Sequence, residues 1–146
     1  MNAAVLKPGT ERYNASTLLD RVLEAGLAEK TAIDWADGTV TYADLHRLVC
    51  QAMRTFAEHG LRREERVLLV LDDSPAYVAG FLGAIRMGAV PVPVNPLLQY
   101  SEDYDHYFED SLARLVVVDE ATSEKVSAAA ARAELRPAVL QGGAFD

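Results

Sequence analysis

The stretch from Arg66 to Pro96, RVLLVLDDSPAYVAGFLGAIRMGAVPVPVNP, constrains the fold of this chain more than any other. Val67 to Leu71 is an unbroken run of Val and Leu that stops at Asp72-Asp73-Ser74, the pattern of a strand buried on both faces. Ser74 is a good N-cap, and Pro75 is pre-set for the first helical position, where its missing N–H costs nothing. Tyr77, Val78, Phe81, Leu82 and Ile85 then recur at helical spacing, and Gly88 supplies a left-handed exit. Val90 to Val94 is a second, β-branched strand, closed by Asn95-Pro96. Pro91 and Pro93 confine it to an edge, or to positions where the ladder can spare an N–H. Strand, helix and strand in this span make a parallel βαβ unit. The expected class is therefore α/β, a mostly parallel sheet with flanking helices.

The flanking sequence extends that reading. Residues 1–13 are polar and irregular, with Pro8-Gly9 against any regular element. An α/β unit is expected over 14–146. Thr17 with Asp20 three residues on reads as a short capping box. Leu18, Leu19, Val22 and Leu23 follow on one helical face, which Gly26 ends. Asp37-Gly38 between two β-prone runs predicts a hairpin. Thr41 caps a second helix with Asp44 at its third position, and Leu45, Leu48, Val49, Ala52, Met53, Phe56 and Ala57 form its apolar face up to Gly60. After Pro96, Ser101 reads as an N-cap, with Tyr104, Tyr107, Phe108 and Leu112 on one face. Leu115 to Val118 is another buried strand. An Ala-rich helix over about Thr122 to Leu135 stops at Pro137, and a last strand begins at Val139-Leu140 before a Gly142-Gly143 turn.

Composition excludes several function classes. The formal net charge is −8, which opposes nucleic acid and anionic membrane as partners, since both require a positive footprint. One cysteine, Cys50, allows no internal disulfide, and its place in a helical pattern suits a small core or surface residue. No apolar run approaches the ~20 residues needed to cross a bilayer, and the first residues lack the basic and apolar regions of a signal peptide. A cytoplasmic, reducing compartment is expected.

Residues capable of chemistry are few and scattered. His46, His59 and His106 lie on separate helical segments, too far apart in sequence to suggest a metal site. Asp105, Glu109 and Asp110 read as a solvated acidic face, and the charged connection LRREER (Leu61 to Arg66) as a solvated loop. Asp72-Asp73-Ser74 sits at the carboxyl end of a parallel strand, the edge where open α/β sheets bind ligands, although capping accounts for Asp73 and Ser74. Tyr100, Tyr104, Tyr107 and Phe108 would line a pocket, a partner surface or the core. There is no G-x-G-x-x-G, G-x-x-x-x-G-K-[ST] or G-x-S-x-G. Gly80, Gly83 and Gly88 read as packing and exit glycines. No catalytic, cofactor-binding or metal residue is assigned.

Four stretches, in order and in register from about residue 14 to residue 120, carry a resemblance. They are NASTLLD (Asn14 to Asp20), TVTYADL (Thr39 to Leu45), Arg66 to Pro96, and DSLARLVVV (Asp110 to Val118). The second matches T-[YF]-x-[ED]-L, which opens a long helix. GAVPVPVNP matches G-A-[VI]-x-x-P-[VL]-N-P, which closes the βαβ unit. The fourth matches D-S-x-A-[RK]-x-[LV]-[VI]. Together they resemble the amino-terminal part of the adenylate-forming superfamily, the acyl- and aryl-CoA synthetases. LLDR and PVPVNPLL look most like the benzoate-CoA ligase branch.

The resemblance implies a parent enzyme that joins a carboxylate to ATP, releases pyrophosphate, and passes the acyl group from the acyl-adenylate to coenzyme A, with Mg2+ on the triphosphate. The family's phosphate loop, adenine motif, ribose-binding aspartate, hinge and catalytic lysine do not map onto residues 1–146. ATP, Mg2+ and coenzyme A are therefore expected to bind the parent and not this piece. It is expected to be non-catalytic alone, to pack on the remainder of the ligase, and to self-associate through exposed apolar surface. The alternatives are a self-contained α/β ligand-binding or interaction module, and a regulatory partner that dimerises with a full synthetase.

Overall fold

A computed structural model of the chain describes residues 14–145. The expectation of an irregular segment over 1–13 lies outside the described residues. In chain order the elements are α1 (Thr17–Glu24), β1 (Thr31–Trp35), β2 (Gly38–Thr41), α2 (Tyr42–Glu58), β3 (Arg66–Val70), α3 (Pro75–Met87) and β4 (Val90–Pro93). A 3₁₀ turn (Ser101–Tyr104), α4 (Asp105–Ser111), β5 (Leu115–Val118), α5 (Glu120–Arg132), β6 (Ala138–Gln141) and a second 3₁₀ turn (Gly142–Phe145) complete them. The hairpin of β1 and β2 is antiparallel, while the four-stranded sheet runs β4-β3-β5-β6 with every pair parallel. This is the α/β architecture expected.

The Val/Leu run places β3 at the centre because both of its faces must be covered. Successive side chains alternate between faces. Val67 and Leu69 of β3, with Leu115 and Val117 of β5, enter one cluster with Leu45, Val49, Ala52 and Phe56 of α2 and Ala79 and Ala84 of α3. Leu68, Val70, Val116 and Val118 enter the other with Tyr104, Phe108 and the α5 residues Val126, Ala129 and Ala130. All eight strand side chains are fully buried. Burying each contributes about 1.5–3 kcal/mol relative to exposure.

The edge position of β4 follows from its prolines. Val90 donates its N–H to Glu65 O at 2.8 Å, and Val94 donates to Leu69 O at 3.0 Å. Pro91 and Pro93 occupy the alternate positions, where an N–H would point away from the sheet. The caps of α2 and α3 are also as read: Thr41 Oγ1 accepts from Asp44 N at 3.1 Å, and Ser74 Oγ from Tyr77 N at 3.2 Å. Gly88, at φ +83°, closes α3.

Several local expectations are corrected. The Thr17/Asp20 capping box does not form. Instead the Asn14 side-chain oxygen accepts from Ser16 N at 2.9 Å and Ser16 Oγ at 2.7 Å, and Asp20 pairs with Arg86 of α3. The hairpin loop is Ala36-Asp37, with Gly38 already paired to Trp35 as the first residue of β2. Ser101 does not cap a helix. Asp103 Oδ2 accepts from Tyr100 N at 3.1 Å across a 3₁₀ turn, while Ser101 Oγ accepts from Arg132. The Ala-rich helix starts at Glu120 and ends at Arg132. Gly142-Gly143 does not lead away from the sheet. It begins the 3₁₀ turn that drives Phe145 into the core, edge-on to Phe56 with ring centroids 5.4 Å apart.

Helices α2 and α3 approach closely at Gly83, where an added Cβ would lie 2.9 Å from Ala52 Cβ and 3.1 Å from Met53 N and Val49 O. Two of those neighbours are backbone atoms, which cannot rotate away. Gly83→Ala is expected to destabilise the fold by about 1–3 kcal/mol, read as a lower urea midpoint at unchanged slope. An unchanged or raised midpoint would show that the helices can separate without loss. Phe145→Ala should cost about 3–5 kcal/mol in the same measurement. A cost under about 1 kcal/mol would show that the last turn is not part of the core.

Candidate functional site

The carboxyl edge of the parallel sheet is the place to look for a ligand. From β3 the chain passes through Asp72, Asp73 and Ser74 to α3 on one face, and from β5 through Asp119 to α5 on the other. Because β3 and β5 are neighbours, their exit loops part between them, the point at which open α/β sheets hold ligands. Here the chain fills that point itself. Asp119 Oδ2 accepts from Asp72 N at 2.6 Å, and Thr122 Oγ1 donates to Val70 O at 3.3 Å and Asp119 O at 3.1 Å. Gly142 closes the same point from β6: a Cβ there would meet Leu71 Cδ2 at 3.2 Å and Ala76 Cβ at 3.5 Å. Ser74 is spent on the α3 cap, and Asp72 and Asp73 are exposed. Asp72, Asp73 and Asp119 make this edge one of carboxylates, which oppose an anion such as phosphate.

The second feature of this edge is the segment from Asn95 to Tyr100, between β4 and the first 3₁₀ turn. Asn95 Oδ1 accepts from Leu97 N at 2.9 Å. The Tyr104 hydroxyl donates to Pro96 O at 3.2 Å, and Lys125 Nζ donates to Leu98 O at 2.5 Å. Lys125 also stands 6.0 Å from the Tyr104 ring centroid, a cation–π distance. The loop is thus tied to α5 through its own carbonyls; Leu98 packs inward against the second cluster, while Leu97 and Tyr100 turn outward. Leu97 is 78% and Tyr100 66% exposed. A groove of about 490 Å³ runs between loop and helix, lined by Tyr100, Ser101, Glu102, Glu124 and Lys125 among others.

The aromatic quartet therefore divides. Tyr104 and Phe108 are core residues, Tyr107 is half-buried with its ring 5.9 Å from that of His106, and Tyr100 faces solvent. Burial raises the Tyr104 hydroxyl above its ordinary pKa of 10.0, and the nearby Asp103 and Tyr107 raise it further.

The remaining polar residues do not converge. His46 Nε2 lies 3.3 Å from Asp20 Oδ1, which also accepts from Arg86 at 2.9 and 3.0 Å. His59 Nδ1 sits 2.8 Å from Thr55 O at the end of α2. Asp105 is paired with Arg132, while Glu109 and Asp110 are exposed. Among the described residues no group of three His, Cys, Asp or Glu side chains is placed to hold a metal ion. The Asp20–Arg86, Asp119–Asp72 and Lys125–Leu98 contacts were missed in the sequence. They join residues 66, 47 and 27 positions apart, a separation that no local pattern reports.

An open parallel sheet covered by helices on both faces, with a hairpin beside it, defines a layered α/β protein. The family model described as AMP-binding enzyme matches residues 20–144, and the chain belongs to that family. It is 42% identical over 105 residues to a 3-hydroxybenzoate–CoA ligase of Aromatoleum sp. (strain CIB), covering 72% of this chain and 20% of that protein. The crystal structure of a benzoate CoA ligase from Burkholderia xenovorans LB400 superposes with a TM-score of 0.80 at 33% identity, over 89% of this chain and 26% of that one. The anthranilate CoA ligase AuaEII, solved in complex with anthranoyl-AMP, superposes with a TM-score of 0.82 at 27% identity, over 92% and 26%. The chain spans about a fifth of the length of the hydroxybenzoate–CoA ligases it matches. The resemblance read from the four stretches is thereby shown.

Tyr104 sets a pH dependence of folding. The fold holds the hydroxyl neutral, so its contribution is complete below the unfolded pKa near 10.0 and is lost as pH rises from there towards the raised folded value. In Tyr104→Phe that alkaline loss should be absent, at a cost of about 1 kcal/mol at neutral pH for the missing hydrogen bond. Urea midpoints across alkaline pH, beside the ultraviolet titration of tyrosinate, check this. Parallel curves for the two proteins would remove Tyr104 as the cause.

Proposed function

We propose that these residues are the amino-terminal part of an ATP-dependent aromatic-acid–CoA ligase of the benzoate type, acting through an acyl-adenylate. The observation that carries this reading is the 42% identity to a 3-hydroxybenzoate–CoA ligase, in a chain with the fold of a benzoate CoA ligase. In the proposed reaction a carboxylate oxygen of the acid bonds to the α-phosphorus of ATP and pyrophosphate leaves. The coenzyme A thiol then bonds to the acyl carbon, and AMP leaves. The neighbour solved with anthranoyl-AMP supports the adenylate as the intermediate.

ATP, Mg2+ and coenzyme A are assigned to the parent enzyme and to no residue of 14–145. What supports this assignment is that the crevice between β3 and β5 is filled by Asp119 and Gly142. The role proposed for 14–146 is that of an α/β subdomain: a sheet and its helices, rigid enough to hold the rest of the ligase in place. The filled crevice also disfavours a self-contained ligand-binding module. A cytoplasmic location accords with the absence, among the described residues, of any helix long and apolar enough to cross a membrane. The acidic net charge gives no basis for a nucleic-acid partner.

The partner expected at the carboxyl edge is the remainder of the ligase. In its absence, the projecting Leu97 and Tyr100 provide a surface for self-association.

Two experiments test this. The intact mass of the protein as its own cells make it should be several times that of 146 residues. The whole protein should form a thioester from 3-hydroxybenzoate, 4-hydroxybenzoate or benzoate with ATP and coenzyme A, and the 146-residue chain should release no acid-dependent pyrophosphate. A native mass equal to that of 146 residues, or a long form inert with every aromatic acid, would overturn the reading. Separately, the isolated chain should bind a hydrophobic dye and elute above monomer size, and Leu97→Ser with Tyr100→Ser should reduce both. A clean monomer that binds no dye would exclude that surface.

A further inference from the structure

We draw no further inference here: the strongest candidate, the cluster of Asp20, His46 and Cys50 where α1, α2 and α3 meet, carries none, because His46 meets both Asp20 (3.3 Å) and Cys50 (3.9 Å) through the same Nε2 and Arg86 already occupies Asp20, which leaves a lone cysteine without a relay or a metal site.

Discussion

The structure depends on β3 being covered on both faces and paired on both edges. A strand of this kind cannot form alone, because a two-stranded ribbon is marginal in water and the Val/Leu run would expose two apolar faces. Its pairing with β4 and β5 fixes the register of the sheet. The alternation of its side chains then decides which helix goes to which face. A shift of one residue in the pairing would exchange the two faces of the strand, so the register is held by the whole core and not by any single contact.

The polar contacts are secondary to this packing, and their exposure bounds what each contributes. The Asp20–Arg86 pair joins α1 to α3 through two hydrogen bonds to one carboxylate oxygen, with side chains 33% and 24% exposed. Arg132–Asp105 joins α5 to α4 at 43% and 32% exposure. Ion pairs in such partly wet positions contribute far less to stability than one buried leucine. The Lys125 ammonium satisfies loop carbonyls that would otherwise need water.

Elements governed by local rules were legible in the sequence. The βαβ unit, the Ser74 and Thr41 caps, the Gly88 exit and the proline-guarded edge each need only residues a few positions apart. Asp20 illustrates the opposite case. Its spacing from Thr17 satisfies the capping pattern, yet the carboxylate pairs with a guanidinium from α3, and Asn14 Oδ1 accepts from Ser16 N just ahead of the helix. The place of Phe145 was not legible for a related reason. A Gly-Gly pair predicts a turn, but it does not say that the turn will bend back to fill the space against Phe56 and Gly80. Helical spacing placed Tyr104, Tyr107 and Phe108 on one face without saying how deep each would sit, because depth depends on Val70, Val118 and α5, which come from elsewhere in the chain.

The state of the carboxyl edge bears most directly on function. An open parallel sheet offers a ligand the gap where its exit loops diverge, and that gap stays available only while nothing from the chain enters it. Here the Asp119 carboxylate already accepts the Asp72 amide, and Gly142 brings the end of β6 against Leu71 and Ala76. A phosphate brought to this point would have to displace a negative charge that holds a short hydrogen bond, beside Asp72 and Asp73. Both terms oppose binding. The crevice between β3 and β5 is thus occupied by the chain's own Asp119 and Gly142. The most exposed apolar residues of this edge, Leu97 and Tyr100, stand on a loop braced from behind by Tyr104 and Lys125. A braced loop with outward apolar side chains loses little further entropy when covered, which favours a fixed contact over a mobile one.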